Sequence, residues 1–223
     1  MHENIICSSS FGKDYEASLK DGILSVEQQY QSVVDADQNT DVLTDGTSGS
    51  CAVVALIVND VLYVANVGDC RAVVSINGEA KALTRDHKAT DPVEKERVVK
   101  AGGFVRGKRV FGLLAVTRSL GDFEYKLHDT SGTVIATPET YTEKLTQDHK
   151  ALILACDGLW DVLSNREVVE FVSVALNDGR NGEEIAQSLA EMAISRGSND
   201  DITVIVIPLA VAVADNDTPD KAS

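Results

Sequence analysis

The chain has 223 residues, enough for one domain that buries a substantial core without disulfides or metal ions to hold it together. Its 20 basic and 35 acidic residues give a net charge of −15, which argues against nucleic acid or an anionic membrane surface as a partner, since both call for basic patches. No apolar run reaches the length of a membrane span, no signal segment opens the chain, and the four cysteines show no C-x-x-C spacing, so we expect a cytoplasmic or nuclear protein with reduced thiols.

The first 46 residues are helical and polar in character. Apolar residues recur there at spacings of four and three, which places them on one face of a helix. We therefore predict a helix whose core stripe consists of Leu19, Ile23, Val26, Tyr30 and Val33. The polar, turn-rich stretch from Asp35 to Gly46 is expected to connect this helix to the strands that follow.

Short β-branched runs begin after Ser50. They are separated by Asn59-Asp60 and closed by Asn77-Gly78, and Asn-Gly between apolar runs is the strongest short signal for a hairpin. The pattern predicts an antiparallel meander with strands at 52–58, 61–67 and 71–76.

Capping residues predict three further helices. The first opens at Asp91-Pro92, with Glu94 as a capping-box acid, and stops at Gly102-Gly103. Ser164 and Glu167 form a second capping box. The helix that they open is predicted to run toward residue 178, and a third helix to span roughly 183–196.

The last predicted strand, 202–207, is almost entirely β-branched, and we expect it to be buried on both faces. The acidic tail at 210–223 contains proline and is predicted to be disordered, which leaves 1–209 as the domain. Strands followed by helices, without βαβ alternation, predict an α+β sandwich.

Two segments place an acidic side chain where an apolar strand meets a loop. Asp157 follows the predicted strand 151–156, and Asp200 precedes the last strand. Hard divalent cations such as Mg²⁺ and Mn²⁺ take carboxylate, carbonyl and water ligands, so the pair could hold one such ion. Asp157-Gly158 is also a common turn pair, and a turn remains the alternative interpretation of Asp157.

These two segments are joined by five others, which are 49–52, 66–71, 83–88, 118–122 and 138–139. In order and spacing, from about residue 47 to about residue 209, they resemble the metal-dependent protein serine/threonine phosphatases, the PPM or type 2C family. The resemblance implies a four-layer α-β-β-α sandwich of antiparallel sheets. It also implies two Mn²⁺ or Mg²⁺ ions in a cleft at one end, hydrolysis of phosphoserine or phosphothreonine esters, and a phosphoprotein substrate.

The resemblance assigns Asp157 and Asp200 as metal ligands. Successive side chains entering a strand point to opposite faces, so only one of Asp200 and Asp201 can readily meet Asp157, and a register slip toward Asp201 is the alternative. Asp69 resembles the family aspartate that helps to hold a further, weaker metal ion, although it could equally cap its own turn. His87 lies in a family segment with a mainly structural role.

Two family features are missing from these 223 residues. The family uses an Asp-Gly-His-Gly-Gly segment, whose aspartate bridges the two ions, and an early arginine that binds the substrate phosphate. The Asp-Gly pairs begin at Asp21, Asp45, Asp157 and Asp178, and none is followed by histidine. The sequence therefore reads as a family member without its first segment, with weakened metal binding and little activity. An inactive, pseudophosphatase-like module that binds a protein partner as an adaptor is the alternative.

Overall fold

The computed structural model describes residues 1–36, 46–127 and 132–209. The helices are α1 (His2–Ile6), α2 (Tyr15–Ala36), α3 (Pro92–Lys100), α4 (Phe123–Leu127), α5 (Asp157–Trp160), α6 (Asn165–Asn177) and α7 (Gly182–Ser195). The strands are β1 (Gly49–Ser50), β2 (Ala52–Val58), β3 (Val61–Val67), β4 (Arg71–Ile76), β5 (Glu79–Ala82), β6 (Val105–Arg106), β7 (Arg109–Val110), β8 (Leu120–Gly121), β9 (Glu139–Lys144), β10 (His149–Ala155) and β11 (Val204–Pro208).

Two antiparallel sheets form the centre of the fold. One has the strand order β11-β10-β4-β5 and the other the order β2-β3-β9, while the short pairs β1-β8 and β6-β7 lie apart from them. Helices α6 and α7 pack on the four-stranded sheet, and α1 and α2 pack on the side of β3. This α-β-β-α arrangement confirms the fold predicted from the sequence.

The alternation of side chains along the strands builds three apolar layers. Odd-numbered residues of β10, such as Ile153, face α6 and α7, while even-numbered ones, such as Leu152, face the other sheet. On β3, Leu62 and Val64 join the layer between the sheets, whereas Ala65 packs against α2. Each central strand is therefore covered on both faces.

The three predicted strands 52–58, 61–67 and 71–76 have the observed bounds of β2, β3 and β4. The predicted meander is wrong, because β3 and β4 belong to different sheets. The chain crosses from one sheet to the other through Gly68, Asp69 and Cys70, and Gly68 adopts φ +96° there. This crossing places Asp69 at the end of both sheets.

Two burial predictions are also wrong. Val33 is 57% exposed, because the buried face of α2 is limited to its first half, around Leu19 and Ile23. The last strand begins at Val204 and lies at the edge of its sheet, so Ile205 is 49% exposed.

The tail at 210–223, predicted to be disordered, lies outside the described residues. Within the described ranges, no helix combines the length and the apolar character that a membrane crossing requires.

Candidate metal site

Asp157 is held where β10 turns into α5. The strand ends at Ala155, Cys156 caps the helix, and Asp157 is the first helical residue. The next residue, Gly158, lies so close to the loop before β11 that a Cβ there would stand 2.4 Å from the Asp201 carbonyl oxygen. The Ser198 hydroxyl donates a 2.7 Å hydrogen bond to the Gly158 carbonyl. The sequence therefore needs glycine at this position for the two segments to meet.

The loop that carries Asp200 is also fastened by Cys156. The Cys156 thiol donates to the Asp201 carbonyl at 3.1 Å, and its sulfur accepts from the Thr203 amide at 3.2 Å. The Cys156 amide donates to the Thr203 carbonyl. Asp200 itself accepts a hydrogen bond from the Asp201 amide through Oδ1, and its side chain lies at the surface.

Asp69 approaches from the crossing between the sheets. It is 7% exposed, and its Oδ1 accepts a 3.2 Å hydrogen bond from the Cys51 thiol. A Cβ on Gly68 would stand 2.1 Å from the Cys51 sulfur, so glycine is required there too. Burial, followed by the charge of Asp69, raises the pKa of Cys70 to about 12, so this thiol is neutral at pH 7.

Two aspartates lie within electrostatic range of Asp157 at this end of the sheets. We call the three residues the aspartate cluster: Asp69, Asp157 and Asp200. Burial raises the pKa of Asp157 most, and the negative charges of Asp69 and Asp200 raise it further. In the described part of the chain, no hydrogen bond or ion pair reaches the Asp157 carboxylate. Carboxylates held together in this way are stabilised by a cation.

Asp161 belongs beside the aspartate cluster and was missed in the sequence. It lies four residues after Asp157, one helical turn away, and its charge also raises the pKa of Asp157. The spacing of Asp157 and Asp161 was the signal that could have revealed it. The ammonium of Lys88 lies 2.7 Å from Asp161 Oδ1 and 3.9 Å from Asp69 Oδ2. A protein cation thus already faces the cluster.

The donor set of the cluster fits a hard divalent ion, since it consists of carboxylates with partial access to solvent. The carboxylate oxygens of the cluster lie farther apart than the ligand atoms of a fully formed metal site. In the ranges that the structure describes, the group of three ligand atoms that lie within 4.8 Å of one another is a different one, formed by His87, Glu94 and Glu139.

The group of His87, Glu94 and Glu139 is an internal ion-pair network and does not fit a metal ion. Arg118 binds the Glu94 carboxylate with two hydrogen bonds and also lies 3.3 Å from Glu139 Oε1. Arg97 binds Glu94 at 3.0 Å, and Arg85 binds Glu139. Three guanidinium groups thus face two carboxylates, and a divalent cation would be repelled.

Glu94 is therefore not the capping-box acid that the sequence predicted. Asp91 does cap α3, accepting from the amides of Val93 and Glu94. The side chain of Glu94, however, turns inward to Arg118. His87 is wholly buried, and its Nδ1 accepts from the Gly68 amide at 3.1 Å. Burial, followed by the charge of Arg118, lowers the pKa of His87, which supports a structural role for a neutral imidazole.

Comparisons with known proteins agree with this architecture. The family model described as protein phosphatase 2C matches residues 1–202. A probable protein phosphatase 2C of Caenorhabditis elegans is 37% identical over 220 residues, which cover 94% of this chain and 60% of the relative. Protein phosphatase 1B of Rattus norvegicus is 35% identical, with 90% of this chain and 51% of the relative covered.

The solved structure of a serine-threonine phosphatase 2C from Toxoplasma gondii has the same fold, with a TM-score of 0.76 at 22% identity. The match covers 92% of this chain and 77% of that one. The chain thus spans little more than half the length of the two curated relatives.

Proposed function

Because this chain belongs to the protein phosphatase 2C family, we propose that it provides part of a metal-dependent phosphatase that hydrolyses phosphoserine and phosphothreonine esters of proteins. The observation that carries the proposal is Asp157, a half-buried carboxylate without a hydrogen-bond partner among the described residues, facing two further carboxylates. We assign Mn²⁺ or Mg²⁺ to this position.

In this proposal Asp157 and Asp200 bind one ion, and Asp69 contributes to a second, weaker position. When bound, such ions lower the pKa of a coordinated water and neutralise the charge that develops on the phosphoryl oxygens. The protein supplies the geometry. Gly158 and Cys156 keep the Asp200 loop against the Asp157 turn, and Lys88 offsets the negative charge while the carboxylates are free.

Metal binding is tested by thermal unfolding with and without a large excess of Mn²⁺. A ligand that binds only the folded state stabilises it by RT ln(1 + [L]/Kd), so even a weak site raises the melting temperature. Asp157→Asn should abolish most of this rise. Asp178→Asn, at the exposed C-cap of α6, should keep it and controls for the loss of one negative charge. Equal responses of both variants and the parent would refute the site.

The catalytic level of the 223-residue chain is a separate proposal. No Asp-Gly pair in it is followed by histidine, so the carboxylate that bridges both ions in the family has no counterpart here. We propose that this chain hydrolyses p-nitrophenyl phosphate with Mn²⁺ at a small fraction of the rate of an intact relative. Comparable turnover would contradict this and would point to Asp69 or Asp201 as a substitute ligand.

The same missing carboxylate favours a second candidate function, an inactive module that binds a phosphoprotein or another protein partner as an adaptor. Turnover that Asp157→Asn abolishes would support the enzyme. Absent turnover together with binding of a phosphoserine peptide would support the adaptor. Sequencing the full-length transcript would show whether an Asp-Gly-His-Gly-Gly segment is encoded upstream.

We also propose a cytoplasmic or nuclear location. All four cysteines, Cys7, Cys51, Cys70 and Cys156, are free thiols, as is usual in reducing compartments. Fluorescence microscopy of the tagged protein tests this, and accumulation in a secretory compartment would refute it.

A further inference from the structure

Three of the four thiols line one groove between the two sheets. Cys51 enters it from the side of β2, and Cys70 and Cys156 enter from the ends of β4 and β10. Two of these residues are the direct chain neighbours of the aspartate cluster, because Cys70 follows Asp69 and Cys156 precedes Asp157. The groove therefore joins nucleophilic side chains to the candidate metal site.

The register of the sheet sets Cys70 opposite Cys156. Strands β4 and β10 are antiparallel, and the pair at this end of their ladder is Arg71 with Ala155. Extending this register by one residue sets Cys70 opposite Cys156, and the two lie close enough for the charge of Cys156 to act on Cys70. They share the face of Ala72 and Leu154, which belong to the layer between the sheets, so both thiols project to the same side.

The backbone also shows which kind of pair this is. The Cys156 amide donates to the Thr203 carbonyl, so it points toward the β11 side and away from Cys70. Opposed residues whose amides point away from each other form the closer type of antiparallel pair, with Cα atoms about 4.5 Å apart. Disulfides span Cα distances of about 4.4 to 6.8 Å, and the separation expected for this type of pair falls within that range. Cys51 directly precedes β2 in the three-stranded sheet, so no strand register sets it opposite Cys70 or Cys156.

We propose that Cys70 and Cys156 form a reversible cross-strand disulfide when the protein meets an oxidant of the disulfide class, such as oxidised glutathione. One cysteine of the pair, as thiolate, attacks a glutathione sulfur, forms a mixed disulfide and releases one glutathione. The second, having lost its proton, attacks the protein sulfur of the mixed disulfide and releases the other glutathione. Two electrons pass from the two thiols to glutathione disulfide, and the two protons pass to the glutathione thiolates.

The disulfide would change the loop that carries Asp200. In the thiol form, Cys156 donates to Asp201 and accepts from Thr203, and both contacts hold the loop. In the disulfide the donated proton is gone and the sulfur turns toward Cys70. The loop then loses two of its hydrogen bonds and keeps those from the Cys156 amide and the Ser198 hydroxyl, so Asp200 is held less firmly near Asp157. Oxidation should thus weaken divalent metal binding, a consequence that rests on the proposed metal site.

The bond is tested by incubating the folded chain with oxidised glutathione at mildly alkaline pH until equilibrium, since buried thiols react slowly. Free thiols are then alkylated, and the chain is cleaved before aspartate. Cleavage there places Cys51, Cys70 and Cys156 in separate peptides, 45–59, 69–85 and 148–156. We expect 69–85 linked to 148–156, released by dithiothreitol. Cys51→Ser should retain this link, and Cys70→Ser should lose it. Glutathione adducts alone, or links through Cys51, would overturn the proposal.

The second readout is the Mn²⁺-induced shift of the melting temperature. We expect this shift to fall by more than half in the oxidised parent and to persist in Cys70→Ser treated in the same way. A full shift in the oxidised, cross-linked parent would overturn the proposed loosening of Asp200. If the reduced parent shows no shift, the metal site itself fails, while peptide mapping still decides the disulfide.

Discussion

Arg118 and Glu94 form a buried ion pair with two contacts, 2.6 Å from Nη2 to Oε1 and 3.1 Å from Nε to Oε2. Glu94 belongs to α3, whereas Arg118 lies in the segment before β8. The pair therefore fastens α3 to the body of the domain. Thr117 adds a further hydrogen bond to the same carboxylate, at 2.7 Å.

Glu94→Gln should destabilise the fold by about 3 kcal/mol, since breaking a buried pair leaves an uncompensated charge. We expect a loss of stability at the lower end of the range that is usual for broken buried ion pairs, because Arg118 retains Glu139 as a partner. Urea unfolding followed by circular dichroism measures the change. Glu96→Gln, on the exposed side of the same helix, should leave the free energy of unfolding unchanged. Equal stability of Glu94→Gln and the parent would contradict the proposed role of the pair.

The same pair predicts how stability depends on acid. Burial would raise the pKa of Glu94, but the hydrogen bonds from Arg118 and Thr117 outweigh it and lower the pKa from 4.5 to about 2. A lowered pKa in the folded state stabilises the protein above pH 4.5, and this contribution is lost as the pH falls toward 2. The parent should lose about 3 kcal/mol more than Glu94→Gln over this window. Parallel profiles of unfolding free energy against pH would refute this.

Glu94 also shows where prediction from sequence ends. Asp91, Pro92 and an acid at position 94 form a local pattern, and the helix start was correct because capping depends on neighbours in the chain. The buried partner of Glu94, Arg118, is 24 residues away, and no local pattern reveals that contact. Strands β2 to β4 were predicted correctly for the same local reason: Asn59 and Asn77, with φ of 53° and 51°, mark the turns between strands.

The candidate site also contains residues that could be predicted from the sequence and residues that could not. Asp157 and Asp200 could be selected because each lies where an apolar strand meets a loop, whereas Asp69 was selected from the family resemblance. In the structure the charges of Asp69 and Asp200 both act on Asp157. Lys88 could not be selected, because its contact with Asp161 joins residues 73 positions apart. The burial of the last strand was misjudged, since a β-branched run such as that around Ile205 looks the same at the centre and at the edge of a sheet.

Lys88→Met should strengthen the binding of Mn²⁺. The Lys88 ammonium competes with a metal ion for Asp69 and Asp161, and its removal should lower the Mn²⁺ concentration needed for half of the thermal shift by roughly three- to tenfold. Lys150→Met removes the same charge at an exposed position near the start of β10, at the opposite end of the strand from the aspartate cluster. It should leave this concentration unchanged. Weaker binding in Lys88→Met would show that the lysine positions the carboxylates instead of competing for them.

Gly158→Ala should abolish most of the Mn²⁺-induced shift. Its Cβ would stand 2.4 Å from the Asp201 carbonyl, so the loop that carries Asp200 must move away. Gly179→Ala is the control: φ is +80° there and nothing lies within 4 Å, so alanine costs about 1–2 kcal/mol of backbone strain without touching the site. Both variants should melt earlier than the parent, and only Gly179→Ala should keep the response to Mn²⁺. A retained response in Gly158→Ala would show that the close approach of the two segments is not needed.

The last prediction concerns the open edge of the three-stranded sheet. Strand β2 pairs only with β3 among the described strands, and none of its residues is fully buried, with Ile57 40% exposed. An unpaired, apolar edge is a template for pairing with another chain. We expect the purified chain to self-associate with increasing concentration in light scattering, and Ile57→Lys to reduce this association, since a charge on an edge strand opposes pairing. Val174→Lys adds the same charge at a site on α6 that is 61% exposed, and it should leave the association unchanged. A parent chain that stays monomeric at high concentration would show that the edge of β2 is not a site of association.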